Sequence, residues 1–261
     1  NLLCQISFIH LGHRHGFRKT QCQNLGVNSE TLDPITGVSW LPQYHDMGLV
    51  VGFIAPLIGG YRMIYMSPVT FVQNPVLWVK AMSDYRVHWS VAPDFAYALV
   101  ARKLEDAQRR GTAPALELSG VRFVQSGAER IRMSSMVAFF QATGIHPRTF
   151  VGPYGLAEHV VGVCYSGPDT PQNLTSNDVT RVSAGSNTGD LMWPDDLRIV
   201  QPETLVLCQD GDEGEIWVSS DSVAGGYWNK PELTEYTFHA KLAGAGKEDP
   251  EFLRTGDLGY M

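Results

Sequence analysis

Thr149-Phe150-Val151-Gly152-Pro153-Tyr154-Gly155-Leu156-Ala157-Glu158-His159 is where the chain changes texture. Its first three residues read as a short buried strand. Gly152-Pro153 then turns the chain and delivers a flat aromatic, a second glycine and a carboxylate within six residues. A glycine beside an aromatic ring lets backbone approach a planar ligand closely. A carboxylate on the next turn can hold a hard cation through oxygen. The plainer alternative is a strand-to-helix turn with a solvated glutamate, and both stand at this point.

Upstream of this stretch, strands and helices alternate. Strands are expected at 37–41, 61–66, 87–92, 121–125 and 149–151. Helices are expected between them: 69–85 with Thr70 as a cap, 95–104 running into a charged 105–110, and 131–143 closed by Gly144. That alternation implies βαβ units and a parallel sheet with helices on both faces. Downstream, 160–195 is rich in Ser, Thr, Asn, Asp, Gly and Pro and reads as a long loop. Short strands follow at 197–200, 204–208 and 215–219, split by tight turns. These predict a small antiparallel, barrel-like unit. The fold class is therefore α/β, with an α/β unit over 1–180 and a β-rich unit over 181–261.

Residues 1–36 carry the least pattern. Leu2, Leu3, Ile6 and Ile9 have roughly helical spacing, and the His10, His13, His15 cluster lacks acidic or thiol partners, so it reads as a solvated helix end rather than a metal site. Neither Asn1 nor Met261 looks like a natural terminus, so a fragment is expected.

The bulk properties narrow the class. The chain has 261 residues, 44% of them hydrophobic and 18% charged, which is ordinary globular composition. A net charge of −7 without a Lys/Arg run argues against nucleic-acid binding. Four cysteines, Cys4, Cys22, Cys164 and Cys208, are scattered without a CxxC pair. They suggest neither a disulfide framework nor a structural zinc, and a reducing, cytoplasmic setting is expected. The longest apolar run, Leu49 to Ile58, contains Gly52 and Pro56 and is too short to span a bilayer. No signal peptide is visible.

In an open parallel sheet, ligands bind beyond the carboxyl ends of the strands. Three strands deliver unusual residues there: Pro42-Gln43-Tyr44-His45-Asp46-Met47-Gly48, Ser126-Gly127-Ala128-Glu129-Arg130 and Tyr154-Gly155-Leu156-Ala157-Glu158. A heterocycle can stack on Tyr154 while the backbone of Gly127 and Ala128 reads its edge. Glu158 can hold Mg²⁺ against a phosphate, and His45 can donate to a carboxylate or phosphate oxygen. A fourth stretch, Arg254-Thr255-Gly256-Asp257-Leu258-Gly259, puts an aspartate on a tight turn where it can accept from vicinal hydroxyls. The alternatives are a loop histidine, a Glu129–Arg130 surface pair, a core tyrosine and a hairpin turn. No P-loop, GxGxxG or GxSxG motif occurs.

With these stretches in hand, the chain from about Ser39 onward resembles the adenylate-forming superfamily. The most specific pieces resemble its fatty acyl-AMP ligase branch: Ser39-Trp40-Leu41-Pro42-Gln43-Tyr44-His45-Asp46-Met47-Gly48-Leu49, Asp94-Phe95-Ala96-Tyr97, Gly214-Glu215-Ile216-Trp217-Val218 and Ser222-Val223-Ala224-Gly225-Gly226-Tyr227-Trp228. The resemblance implies ATP-dependent activation of a long-chain fatty acid to an acyl-adenylate, with release of pyrophosphate. The acyl group then passes to a carrier-protein phosphopantetheine or to coenzyme A. ATP and Mg²⁺ are the implied cofactors. The implied nucleotide site is Gly127, Ala128, Glu129, Tyr154, Gly155, Leu156, Ala157 and Asp257. Glu158 is the implied magnesium ligand, His45 lies near the reacting carboxylate, and Phe53, Ile54 and Phe95 line an acyl tunnel.

The chain departs from the family pattern in four ways. The family's Ser/Thr/Gly-Lys phosphate loop and its lysine-bearing C-terminal domain are absent. The stretch after Glu158 is shorter than the insertion usual in the acyl-AMP ligase branch. Arg130 stands where proline is usual. Two rival readings remain: an acyl-CoA synthetase, and a non-catalytic acyl- or nucleotide-binding scaffold or sensor.

Overall fold

The computed structural model describes residues 35–165 and 197–260. The histidine cluster at 10–15, the helix expected near the start and most of the polar loop lie outside the described residues. Five strands form one parallel sheet in the order β2-β1-β3-β4-β5. They are β1 (Thr36–Ser39), β2 (Arg62–Tyr65), β3 (Trp89–Ala92), β4 (Phe123–Ser126) and β5 (Phe150–Val151).

Strands β1, β3 and β4 are buried on both faces, which is why they read as apolar runs. Val38, Val124 and Phe150 face a core filled by Phe71, Trp78, Val100 and Phe139. Those residues come from α2 (Pro68–Gln73), α3 (Val76–Asp84), α4 (Asp94–Arg109) and α5 (Met133–Thr143). The opposite face, with Trp89, Val91, Phe123 and Val151, is covered by Met47, Val50 and Val51. These lie on a π-helix, Met47–Ile54, that runs into α1 (Ala55–Gly59). The apolar run is thus the second covering layer of the sheet. Gly48 allows it to dock, since a Cβ there would stand 2.1 Å from the Pro42 carbonyl oxygen.

The parallel sheet agrees with the sequence expectation, and one helix is corrected. The expected 69–85 helix is two helices, because Pro75 disfavours helical backbone at Asn74, which adopts φ −144°, ψ 83°. The first is capped by Ser67, whose hydroxyl accepts from Thr70 N at 3.0 Å, rather than by Thr70. Gly144 closes α5 at φ 74°, as expected.

Beyond β5, a short hairpin pairs β6 (Pro153–Tyr154) with β7 (Cys164–Tyr165). A separate antiparallel sheet follows in the order β10-β9-β8, from β8 (Leu197–Val200), β9 (Gly214–Val218) and β10 (Leu253–Gly259). Its core is Val200, Trp217 and Phe252. Helix α6 (Pro231–Phe238) packs on β10. The strand expected at 204–208 is reduced to a single bridge, Val200 to Leu207, because Leu205 takes φ 58° and breaks the extended run. Asp257 lies on a strand rather than a hairpin turn. No helix among the described residues is long and apolar enough to cross a membrane.

Candidate functional site

The carboxyl ends of β1, β4 and β5 surround a cavity of about 200 Å³. Its polar end is made by His45, Asp46 and Gln125, and its apolar wall by Met47, Val51 and Val91. Ala128, Gly155 and Leu156 close it. Three of the four sequence stretches therefore converge on one space.

The His45 imidazole is oriented by its neighbour. Nδ1 lies 2.7 Å from Asp46 Oδ1, and the same oxygen accepts from Met47 N at 2.6 Å. Met47 N also donates to His45 Nδ1, at 3.2 Å, so the ring is held through that nitrogen.

The segment after β5 is fixed by close packing. A Cβ on Gly155 would fall 1.7 Å from the Val161 carbonyl oxygen, and a Cβ on Gly127 3.0 Å from Pro153 Cγ. Both positions bring backbone against backbone or proline with no room for a side chain. Ala128 sits at φ 65°, a left-handed conformation unusual for alanine.

Three anchors, at Tyr154, Glu158 and His159, tie this segment to β10 and to the loop after β9. The Tyr154 hydroxyl donates to Asp257 Oδ2 at 2.7 Å. Burial pushes this phenol well above its ordinary range, so it remains a donor. The Glu158 carboxylate accepts from the Tyr227 hydroxyl at 2.5 Å, and the Glu158 carbonyl accepts from Ala224 N at 2.8 Å. That bond to Glu158, with added burial, pushes the Tyr227 phenol up to about 12. His159 is fully buried, with Nδ1 2.7 Å from the Gly162 carbonyl and Nε2 2.7 Å from Ser220 Oγ. The carbonyl only accepts, so Nδ1 carries the proton and Nε2 accepts from the serine.

Asp257 projects from a bulge. Residues 255–257 of β10 stand opposite Ile216 alone, between the pairs Arg254–Trp217 and Leu258–Glu215. Glu215 is buried and receives Arg254 Nε at 3.0 Å, Arg254 Nη2 at 2.7 Å and Gly256 N at 3.1 Å. Burial raises this carboxyl, and Arg254 with the Gly256 amide outweighs it, holding the group below its usual range. Arg254 is itself sandwiched near Tyr236 and Trp217, at 4.4 and 5.4 Å from their ring centres.

Other expected residues sit differently. Glu129 is exposed and forms no ion pair with Arg130 among the described residues. Its Oε1 accepts from Phe95 N at 2.8 Å and so caps α4. Ala157 is exposed on a short 3₁₀ turn. Phe53, Ile54 and Phe95 do not line the cavity: Phe53 packs against Tyr65, and Phe95 lies edge-on to Trp40 and Phe71.

Sequence reasoning gave no role to Gln125, Tyr227, Glu215 or Asp94. Asp94 is fully buried and accepts from Arg132 N at 2.8 Å and Ser135 Oγ at 3.0 Å, tying the starts of α4 and α5 together. A charged residue inside an apolar strand, as Glu215 is between Gly214 and Ile216, was the available signal.

Glu158 is the one carboxylate on this segment, and no group of three or more His, Cys, Asp or Glu side chains among the described residues is placed to hold a metal. Such a donor set suits Mg²⁺, which often takes one or two carboxylates and completes its shell with water and substrate phosphates.

A parallel sheet whose carboxyl edge leads into His45 and Glu158, with Asp257 of the antiparallel sheet joined to it through Tyr154, defines an α/β protein of the nucleotide-crevice kind. More narrowly, the chain belongs to the AMP-binding enzyme family, whose pattern matches residues 12–228. It is 38% identical to the long-chain-fatty-acid–AMP ligase FadD28 of Mycobacterium tuberculosis, over 86% of this chain and 41% of that protein. It is also 38% identical to the putative fatty-acid–CoA ligase FadD21 of the same organism, over 96% of this chain and 46% of that one. Among solved structures, it resembles a Legionella pneumophila fatty acyl-adenylate ligase in complex with acyl adenylate and pyrophosphate. That match has a TM-score of 0.73 at 31% identity and covers 97% of this chain and 45% of the other. The chain thus spans less than half the length of the curated relatives it matches.

Proposed function

We propose that this chain forms the nucleotide and acyl crevice of a cytoplasmic enzyme that activates a long-chain fatty acid with ATP. The fatty carboxylate oxygen bonds to the α-phosphorus, the bond from that phosphorus to the bridging oxygen breaks, and pyrophosphate leaves with the electron pair. A thiolate then attacks the acyl carbon and releases AMP. The observation that carries this reading is the tyrosine hydroxyl joining Tyr154 to Asp257 across 103 residues of sequence. It brings the proposed adenine platform and the proposed ribose ligand together, one residue along the chain from Pro153 and Gly155 of the cavity lining.

Within this reading, Tyr154 stacks on adenine while Gly127, Ala128, Gly155, Leu156 and Ala157 approach it with backbone. Asp257 accepts from the ribose hydroxyls. Glu129 contributes by capping α4 beside the site. His45 Nε2 faces the reacting oxygens, and Glu158 is the protein ligand to magnesium, which when bound neutralises phosphate charge. The acyl chain leaves the polar end along Met47, Val51 and Val91, and Phe53, Ile54 and Phe95 serve its outer path. The α/β unit is assigned to 1–180 and the β-rich unit to 181–261, in keeping with their separate cores.

Glu158→Gln and Asp257→Asn in the intact protein should each lower fatty-acid-dependent ATP–pyrophosphate exchange by about a hundredfold or more. Exchange at the wild-type rate in both would remove the activity from this site. The acceptor is proposed to be a carrier-protein phosphopantetheine, with coenzyme A as the alternative because the relatives carry both kinds of name. Supplying each acceptor separately and weighing the acyl thioester formed decides between them.

A further inference from the structure

The carboxylate of Asp257 is exposed, on a glycine-containing bulge, yet its direction is determined by buried neighbours. Gly256 takes φ 74°, a left-handed conformation that turns the chain sharply just before Asp257. Three hydrogen bonds pin that turn from below. Glu215 Oε1 accepts from Gly256 N at 3.1 Å, Thr255 Oγ1 donates to the Ile216 carbonyl at 2.7 Å, and Thr255 Oγ1 accepts from Asp257 N at 3.1 Å. Glu215 is in turn gripped through Arg254 Nε and Nη2, so its second oxygen cannot rotate away from the bulge.

We infer that Glu215 and Thr255 are positioning residues for the ribose contact of Asp257, and that they set the preference for a ribonucleotide over a deoxyribonucleotide. The inference rests on the assignment of Asp257 to the ribose hydroxyls. Neither residue touches the ligand. Glu215 holds the amide before Asp257 and Thr255 holds its own amide, so the carboxylate meets the vicinal hydroxyls without first paying to order its loop. The Tyr154 hydroxyl occupies only Oδ2, which leaves Oδ1 for a second donor.

The test is equilibrium binding of ATP, 2′-deoxy-ATP and 3′-deoxy-ATP to the intact protein by calorimetry, so that no turnover is needed. Wild type should bind ATP about tenfold or more tighter than either deoxy form, as expected for a lost hydrogen bond to a charged group. Thr255→Val keeps the side-chain shape and removes the oxygen. It should reduce that ratio to about threefold or less, and Thr255→Ser should restore it. Glu215→Gln should reduce it likewise. Because this change also leaves Arg254 without its charge partner, the valine variant carries the test if the glutamine variant does not fold. An unchanged ratio in a folded Thr255→Val protein overturns the positioning role. Absence of discrimination in wild type overturns the ribose assignment of Asp257 itself.

Discussion

The two tyrosine-held carboxylates, Asp257 and Glu158, are held in opposite ways. Asp257 belongs to the antiparallel sheet and stands on a bulge braced by its own strands, through Glu215, Arg254 and Thr255. Glu158 belongs to the segment after the parallel sheet and sits on a single 3₁₀ turn, and among the described residues no side chain of that unit is seen to hold its carboxylate. Its side chain is instead caught by Tyr227, on the loop between β9 and α6. The tyrosines cross: Tyr154 reaches from the parallel side to Asp257, and Tyr227 returns to Glu158. The Asp257 side is preorganised locally, whereas the Glu158 side depends on a group 69 residues away. Loss of a cross-bond should therefore hurt Glu158 more than Asp257.

The largest break in this arrangement comes from Gly155. Alanine there would drive its Cβ into the Val161 carbonyl oxygen, a backbone atom that cannot rotate aside. Gly155→Ala should cost about 3 kcal/mol of stability in urea unfolding and abolish exchange activity, since Tyr154 and Glu158 flank the site. A variant with wild-type stability would show that the segment is not packed as described.

The next effect is smaller and bears directly on the asymmetry. Tyr227→Phe removes one hydroxyl and leaves the ring edge-on to Phe238 at 5.1 Å. With Glu158 no longer oriented, the magnesium concentration for half-maximal exchange should rise about fivefold, in line with about 1 kcal/mol for one hydrogen bond. Tyr154→Phe makes the same chemical change on the other side. Because Asp257 keeps its braces, affinity for ATP should fall by no more than about threefold. Equal losses in the two variants would end the claim that the sides differ.

How much of this was legible in the sequence follows the same division. The parallel sheet was readable because its strands are apolar on both faces and alternate with helices. Val38, Val124 and Val151 announce themselves by composition alone. The split of α2 from α3 was also encoded, in Asn74-Pro75, though a continuous apolar pattern masked it. His45, Tyr154, Glu158 and Asp257 stood out because glycines surround them. The bonds between them did not. Nothing in local pattern pairs Tyr227 with Glu158 or Glu215 with Gly256, since the first contact depends on how two units meet and the second on the bulge in the β9–β10 register. The lining of this cavity was not legible either: Met47 and Val51 line it, while Phe53 packs against Tyr65, and an all-apolar run does not mark which of its residues turns which way.

The smallest expected effect tests whether the brace under Asp257 is electrostatic. Glu215 is held ionised by Arg254, so its folded-state titration lies below its ordinary value of 4.5. A carboxyl with a depressed folded value stabilises the fold wherever it is ionised in both states. That contribution is complete above about pH 4.5 and is lost as pH falls through the folded value, because protons then favour the unfolded chain. Glu215→Gln cannot titrate. The difference in urea midpoint between wild type and this variant should therefore stay constant from neutral pH down to about 4.5 and shrink below it. A Glu215→Gln difference that stays level down to acid unfolding would mean that the brace works by shape and neutral hydrogen bonding, with the Arg254 charge contributing nothing.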